Sequence, residues 1–315
     1  KQLQQSCLEL RFSYLISEKN VAPNKIVAIA FTNKVAAEMK ERALALLNGC
    51  GTGLTVSTFH SWCAKFLRKE IDAIKFPNNF TIMDDEDTET LIKNIGVDLG
   101  FKKNDDAVKY AIGYISAQKC KGFYPQDIVL DQHALTLQKT ALKMFHIYEQ
   151  RKEEMLSLDF DDLLLKTIQI LTDFSDIRKK WQNRIEHILI DEFQDTNDVQ
   201  FKLVKLLMND VTNLYVVGDP DQTIYTWRGA NQNIILNFNK TFPLAETLIL
   251  DRNYRSTKTI LNHANKLIAY NKKRVPKDLY TEGEVGEPVK VEVSRKRDDE
   301  AYYVANEIEN IIRRN

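Results

Sequence analysis

The sequence predicts an α/β fold: a parallel sheet flanked by helices and interrupted by a helical insertion. Three observations predict it. Short continuous apolar runs occur at "KIVAIAF" (25–31), "HILIDEF" (187–193) and "NLYVVGD" (213–219). Helical periodicity fills the chain between such runs. Strand signals nearly vanish from about Asp84 to Arg184. Runs that are continuous rather than alternating mark strands covered on both faces, as in a parallel sheet.

In chain order, the strand "KIVAIAF" is followed by the helical pattern "NKVAAEMKERALALLNG", closed by the stop signal Asn48-Gly49, and by a shorter strand, "LTVSTF" (54–59). In the middle stretch, "ALTLQKTALKMFHIYEQRKEEML" and "DFDDLLLKTIQILTDF" place apolar residues at helical spacing. After the strand at 187–193 come the helix "DVQFKLVKLLMND", the strand at 213–219 and a short strand, "TLILDRNY" (247–254). Beyond the polar "YNKKRVPKDLYTEGEVGE", the segment "EPVKVEVSRKRDDEAYYVANEIENIIRRN" reads as an alternating strand and then a helix, the opening of another domain. The expected division is 1–84 and 185–280 for the α/β domain, 85–184 for an all-helical insertion, and 281–315 for the start of the next domain.

The 315 residues include 44 basic and 44 acidic side chains and are 43% hydrophobic, enough for a sizeable core. No run approaches the roughly 18 consecutive apolar residues of a membrane span, and the N-terminus lacks a signal-peptide block. A soluble cytoplasmic protein without membrane attachment is expected. Cys7, Cys50, Cys63 and Cys120 form no CxxC pair and show no metal spacing with the five histidines, which argues against disulfides and zinc. Zero formal charge argues against wholesale coating of nucleic acid but leaves room for a local basic groove.

Chemistry concentrates where strands end. In "ILIDEFQDTNDVQ" (188–200), Asp191 and Glu192 close an apolar run. An aspartate there can hold hydrated magnesium while a neighbouring carboxylate takes a proton from water; alternatively the pair is a helix-cap acid and a solvated glutamate. "GDPDQTIYTWRGA" (218–230) supplies Gln222, which can bond both water and a phosphate oxygen, with Tyr225, Trp227 and Arg228 suited to bases and phosphates. Trp227 can equally be a core aromatic. In "RNYRST" (252–257), Tyr254 offers a flat face and Arg255 a fixed positive fork; the plainer reading is a surface pair before a Ser256-Thr257 cap.

Taken in order, "AFTNKVAAEMKERA", "TFHSW", "DEFQDTN", "VVGDPDQTIYTWRGA" and "LDRNYRST" strongly resemble the successive motifs of the UvrD/PcrA/Rep family of superfamily 1 DNA helicases. The likeness extends through "IMDDEDTETL", "SAQKCKG" and "LDFDDLLL" to "EGEVGEPVKVE", essentially the whole chain. The resemblance implies a RecA-like sheet of the P-loop NTPase type and an ATP-dependent, magnesium-requiring motor moving 3′ to 5′ on single-stranded DNA to unwind tailed duplexes. Asp191 would coordinate magnesium, Glu192 act as general base, and Gln222 couple the γ-phosphate to the DNA site. Tyr254 would stack on adenine and Arg255 touch the γ-phosphate, with Gln2 as a further adenine-site candidate. Phe31, Thr32, Asn33, His60, Tyr225, Trp227 and Arg228 would line the single-strand path. A monomer able to self-associate, with repair or replication proteins as partners, fits the same family. The alternatives are the motor part of a helicase-nuclease and a nucleotide-independent single-strand-binding module.

The sequence departs from the family pattern in one place. No GxxxxGK(S/T) occurs, and "NGCGTGLT" (48–55) lacks its lysine. In the family the phosphate loop precedes the helix read here as "SCLELRFSYLISEKN", while "KQLQQ" resembles the adenine-reading region upstream. The expectation is therefore an omitted loop between Gln5 and Ser6, an idea that ordinary chain continuity there removes. As written, the chain is expected to be a first motor lobe with little activity alone.

Overall fold

The computed structural model describes residues 2–47 and 51–314, except the side chains of residues 2–6. The Gln2 side chain and the Asn48-Gly49 stop signal lie outside the described residues. Contacts divide the chain into two units, 1–245 and 246–315.

The first unit contains α1 (Gln2–Ser17), β1 (Ile26–Ile29), α2 (Asn33–Leu46), β2 (Thr55–Ser57), α3 (Phe59–Glu70), β3 (Thr81–Ile82), α4 (Asp85–Asp98), α5 (Asp106–Lys119) and α6 (Thr136–Glu154). There follow β4 (Ser157–Leu158), α7 (Phe160–Asp173), α8 (Ser175–Gln182), β5 (His187–Ile190), α9 (Asp198–Leu207), β6 (Asn213–Val216), α10 (Gln232–Leu236) and α11 (Phe238–Thr241). The main sheet has the order β2-β1-β5-β6, and every pair is parallel.

The apolar runs are continuous because both faces of the sheet are covered. Val27 and Ile29 of β1, with Ile188 and Ile190 of β5, enter a core with Trp62, Phe66, Leu164, Phe193 and Leu203. The alternate residues Ile26, Ala28 and Leu189 enter a second core with Leu8, Phe12, Met39 and Ala43. A side-chain period of two thus feeds two cores from one run. Burying a Leu, Ile or Phe is worth about 1.5–3 kcal/mol, so the register of β1 against β5 is strongly set.

α4, α5 and α6 build a third core around Ile92, Ile95, Val108, Ile115, Met144, Phe145 and Tyr148. Gly96 permits the α4–α5 approach, since a Cβ there would lie 2.6 Å from Val108 Cγ2. Where α5 and α6 meet the start of α7, buried Lys119 and Lys152 are interleaved with Asp159 and Asp162. Lys119 Nζ is 2.7 Å from Asp162 Oδ1, and Lys152 Nζ is 2.8 Å from Asp159 Oδ2. Burial alone would lower both ammonium pKa values, but Asp162, Asp159 and Glu149 together hold them above their ordinary value.

Several expectations need correction. The middle stretch is not all-helical, because β4 pairs in parallel with β3. Its expected end at 184 is too late, because α7 and Trp181 pack into the sheet's own core. α1 runs from Gln2 to Ser17 through Gln5 and Ser6.

In the second unit, α12 (Lys258–Ile268) and α13 (Arg297–Arg314) are the regular elements. The expected strand at 247–254 is reduced to an isolated bridge between Arg252 and Tyr280, and "EPVKVEV" forms no strand. Their apolar residues find no sheet to cover, and Leu248, Val291 and Val293 are all more than 80% exposed. The unit begins well before the expected boundary at 280 because "DRNYRST" is stitched to 280–285. Asn253 N–H donates to Tyr280 O at 2.7 Å, Tyr280 N–H to Asp251 O at 3.0 Å, and Thr259 N–H to Val285 O at 2.9 Å. Arg252 also pairs with Glu282.

Candidate functional site

β1 lies between β2 and β5, so the chain runs outward in one direction after β1 and in the other after β5. The carboxyl ends of β1 and β5 therefore form a topological switch point, where open parallel sheets bind ligands. Phe31, Thr32 and Asn33 follow β1, and Asp191 and Glu192 follow β5. Asp191 N–H continues the ladder to Ile29 O at 2.9 Å.

A cavity of about 1680 Å³ opens there. Asp191, Glu192, Phe31, Thr32, Asn33, His60, Tyr225, Trp227 and Arg228 all line it. Each is set by local structure. Thr32 caps α2, its Oγ1 accepting from Val35 N–H at 3.2 Å, and Thr58 caps α3 by accepting from Ser61 N–H at 3.2 Å. Asn33 Oδ1 accepts from Ser61 Oγ at 3.0 Å and Thr58 Oγ1 at 3.3 Å, which joins the starts of the two helices. Two helix N-termini thereby border the cavity, an arrangement favourable to anions.

Part of the lining is aromatic. The Phe31 and Tyr225 rings lie 4.8 Å apart, Tyr225 and Trp227 lie 6.3 Å apart, and Arg228 sits 4.7 Å from the Trp227 ring centre. Trp227 is 72% exposed, so the core-aromatic alternative fails. His60 meets Phe160 edge-on at 5.9 Å, and burial lowers its pKa against the opposing pull of Asp85. The ring is accordingly a neutral flat surface near pH 7.

The cavity is not a basic groove. Its cations are Lys119, Lys121 and Arg228, against Asp85, Glu89, Asp161, Asp191, Glu192, Asp195 and Asp198 among others. Lys119 is already engaged by Asp159 and Asp162. Affinity for a polyanion must come chiefly from aromatic faces and helix ends. The acidic end suits a hard cation, which takes carboxylate oxygens and water.

Asp191 is 5% exposed, and Glu192 takes a left-handed backbone with φ 48°, uncommon for a residue with a Cβ. The helix-cap alternative for this pair is removed, because Asn197 caps α9 by accepting from Gln200 N–H at 2.8 Å. Gln222 does not line the cavity among the described residues. Its Nε2 donates to Asp219 Oδ2 at 2.7 Å. Tyr254 and Arg255 lie in the second unit. There Asn253 Oδ1 accepts from Arg255 N–H at 2.9 Å, and Arg252 lies 4.7 Å from the Tyr254 ring centre.

Sequence reasoning gave no role to Phe160, Asp161 or Gln194. Phe160 and Asp161 sit in the quoted "LDFDDLLL", where their polar and aromatic character interrupts the apolar stripe of α7 just at its cavity end. Among the described residues no helix is long and apolar enough to cross a membrane.

Fold and strand-end chemistry together define a parallel α/β domain with acidic and aromatic residues at its switch point. The chain belongs to the UvrD/REP helicase family: the pattern of the UvrD/REP helicase N-terminal domain matches residues 6–243, and that of the UvrD-like helicase C-terminal domain matches 248–315. It is 39% identical over 309 residues to the probable DNA helicase II homolog of Mycoplasma capricolum, covering 96% of this chain and 42% of that protein. It is 39% identical over 302 residues to the ATP-dependent DNA helicase PcrA of Leuconostoc citreum, covering 96% and 40%. Against the PcrA of Staphylococcus aureus the figure is 40% over 298 residues, covering 95% and 41%. The chain spans about two fifths of the length of these relatives.

Proposed function

We propose that the protein to which this chain belongs is an ATP-dependent DNA helicase and translocase, moving 3′ to 5′ on single strands and unwinding tailed duplexes in DNA repair or replication. The observation that carries this reading is that Asp191 and Glu192 share one cavity with the aromatic wall of Phe31, Tyr225 and Trp227. The relatives' names, ATP-dependent DNA helicase PcrA among them, support it.

The carboxylates fit magnesium: Asp191 is a buried oxygen donor at a strand end, and further carboxylates stand around it. The sequence holds no GxxxxGK(S/T), so the residues that cradle the phosphates are not assigned. Bound ATP with magnesium supplies the phosphoanhydride whose hydrolysis drives movement. Asp191 would hold the ion, and Glu192 would accept the proton of the attacking water. By the same family resemblance Gln222 would serve the γ-phosphate, Tyr254 the adenine and Arg255 the phosphate charge. Phe31, His60, Tyr225 and Trp227 take bases on their ring faces, while Thr32, Asn33 and Arg228 hold the strand's backbone. Stacking of this kind contributes about 1–3 kcal/mol per base and is indifferent to sequence. α4, α5 and α6, with their separate core, form an inserted helical subdomain of the first motor lobe.

Strand displacement on tailed duplexes tests the reading, with the full-length protein compared with its Glu192→Gln variant. The parent is expected to unwind a 3′-tailed duplex only with ATP and magnesium, and the variant to bind the tail without unwinding. Binding indifferent to ATP, with no unwinding, would establish a nucleotide-independent single-strand-binding module instead.

A further inference from the structure

Gln194 is 1% exposed, yet every functional group of its side chain faces a polar atom at the strand ends. Its Oε1 accepts from the backbone N–H of Asp219 at 3.0 Å. Its Nε2 donates to Glu192 Oε2 at 2.9 Å and to Asp195 Oδ2 at 3.4 Å. The orientation of the amide is forced, since a backbone N–H can only donate and a carboxylate only accept. Asp219 in turn accepts from Gln222, through Oδ2 from Nε2 at 2.7 Å and through its carbonyl from Gln222 N–H at 2.9 Å. A continuous path therefore runs from Glu192 at the end of β5, through Gln194 and Asp219, to Gln222 in the loop that continues into Tyr225 and Trp227.

Gly218 makes room for this path. A Cβ at 218 would lie 2.7 Å from Gln194 Oε1 and 3.1 Å from Gln194 N, closer than the amide can tolerate without moving. Gly218 does not have positive φ, so space rather than backbone freedom calls for glycine there. Only an amide fits position 194: a carboxylate cannot donate to Glu192, and an apolar chain can do neither task.

We infer that Gln194 is the positioning residue that orients the Glu192 carboxylate and ties it to the loop bearing Gln222 and the aromatic wall. This inference rests on the proposed role of Glu192 as general base. Gln194 itself touches no reacting atom. It acts by keeping Glu192, on its left-handed backbone, aimed at one place, and misplacement of a catalytic group by about 1 Å can cost about a hundredfold in rate.

The test measures kcat and KM for ATP, with saturating single-stranded DNA, on the full-length protein and four variants: Gln194→Glu, Gln194→Met, Gly218→Ala and the Gln194→Met/Gly218→Ala double. Gln194→Glu keeps the size and the acceptor for Asp219 N–H, but loses the donations to Glu192 and Asp195 and sets a buried carboxylate beside theirs. It is expected to melt below the parent, because a buried carboxylate beside Glu192 and Asp195 is costly, and, assayed well below its melting temperature, to lose about 10- to 100-fold in kcat while keeping KM for ATP within about twofold. Gly218→Ala is expected to lower kcat by displacing Gln194, and the double variant to fall no further than Gln194→Met, because both changes break one path. A kcat within about twofold of the parent in Gln194→Glu, or losses that multiply in the double variant, overturns the inference. A parent without ATP turnover, equal to Glu192→Gln, overturns the general-base reading itself and the inference with it.

Discussion

The Phe31 and Tyr225 rings face each other with centroids 4.8 Å apart and planes 31° apart, one carried just beyond β1 and the other on the loop beyond β6. Two strand ends that are not neighbours in the sheet thus meet through aromatic faces. The outer faces of these rings offer flat surfaces on which a base can stack. Phe31→Ala should weaken single-strand binding by the full-length protein by about 1–3 kcal/mol, and Phe31→Tyr should keep it. Anisotropy of a labelled oligonucleotide reads the difference directly, and an Ala variant that binds as the parent does would remove Phe31 from the path.

The buried ion network makes a separate prediction about stability. Lys152 is 2% exposed, and its ammonium lies 2.8 Å from Asp159 and 2.5 Å from Asp162. Lys152→Met matches the stem in size but leaves two buried carboxylates sharing Lys119. Breaking a buried pair in this way costs about 3–5 kcal/mol. Urea unfolding should show a clearly lower midpoint; a loss below about 1 kcal/mol would mean that water or rearrangement satisfies the carboxylates.

Asp161 gives a pH dependence. Burial first, and then repulsion from Asp159, pushes its carboxyl up to about 7. The folded state therefore holds a proton that the unfolded chain, ionising near its ordinary value of about 4, has released. The destabilisation is absent below about pH 4, grows as pH rises through the folded value, and is complete above about pH 7. Asp161→Asn should stabilise the protein by about 2 kcal/mol at about pH 8 and by much less at about pH 5, allowing for the partial exposure of the group. Melting curves at the two values check it, and an equal gain at both would show that Asp161 does not titrate in this window.

Much of this architecture was legible in the sequence, for identifiable reasons. β1, β5 and β6 announced themselves because burial on both faces leaves continuous apolar runs, and Asp191 and Glu192 stood out as charges that packing does not require. "TLILDRNY" and "EPVKVEV" misled, since an apolar or alternating run specifies a strand only where a sheet edge receives it, and residues such as Leu248 and Val291 are exposed. α7 was correctly a helix but was assigned to the wrong core, because periodicity reveals an apolar face and not the neighbour it meets. Gln194 stood out with Asp195 as a polar residue behind the strand but received no role: the task of a single buried amide is recognised only when the N–H and carboxylate that flank it are seen in space.

On this reading the acidic strand ends and the aromatic wall form one coupled site. ATP hydrolysis by the full-length protein, titrated with single-stranded DNA, tests it most directly in the parent and in Trp227→Ala. DNA should stimulate the parent strongly, and the half-maximal DNA concentration should rise about tenfold or more in the variant, in line with the loss of one stacked base. Hydrolysis indifferent to DNA, or an unchanged half-maximal concentration in Trp227→Ala, would contradict it.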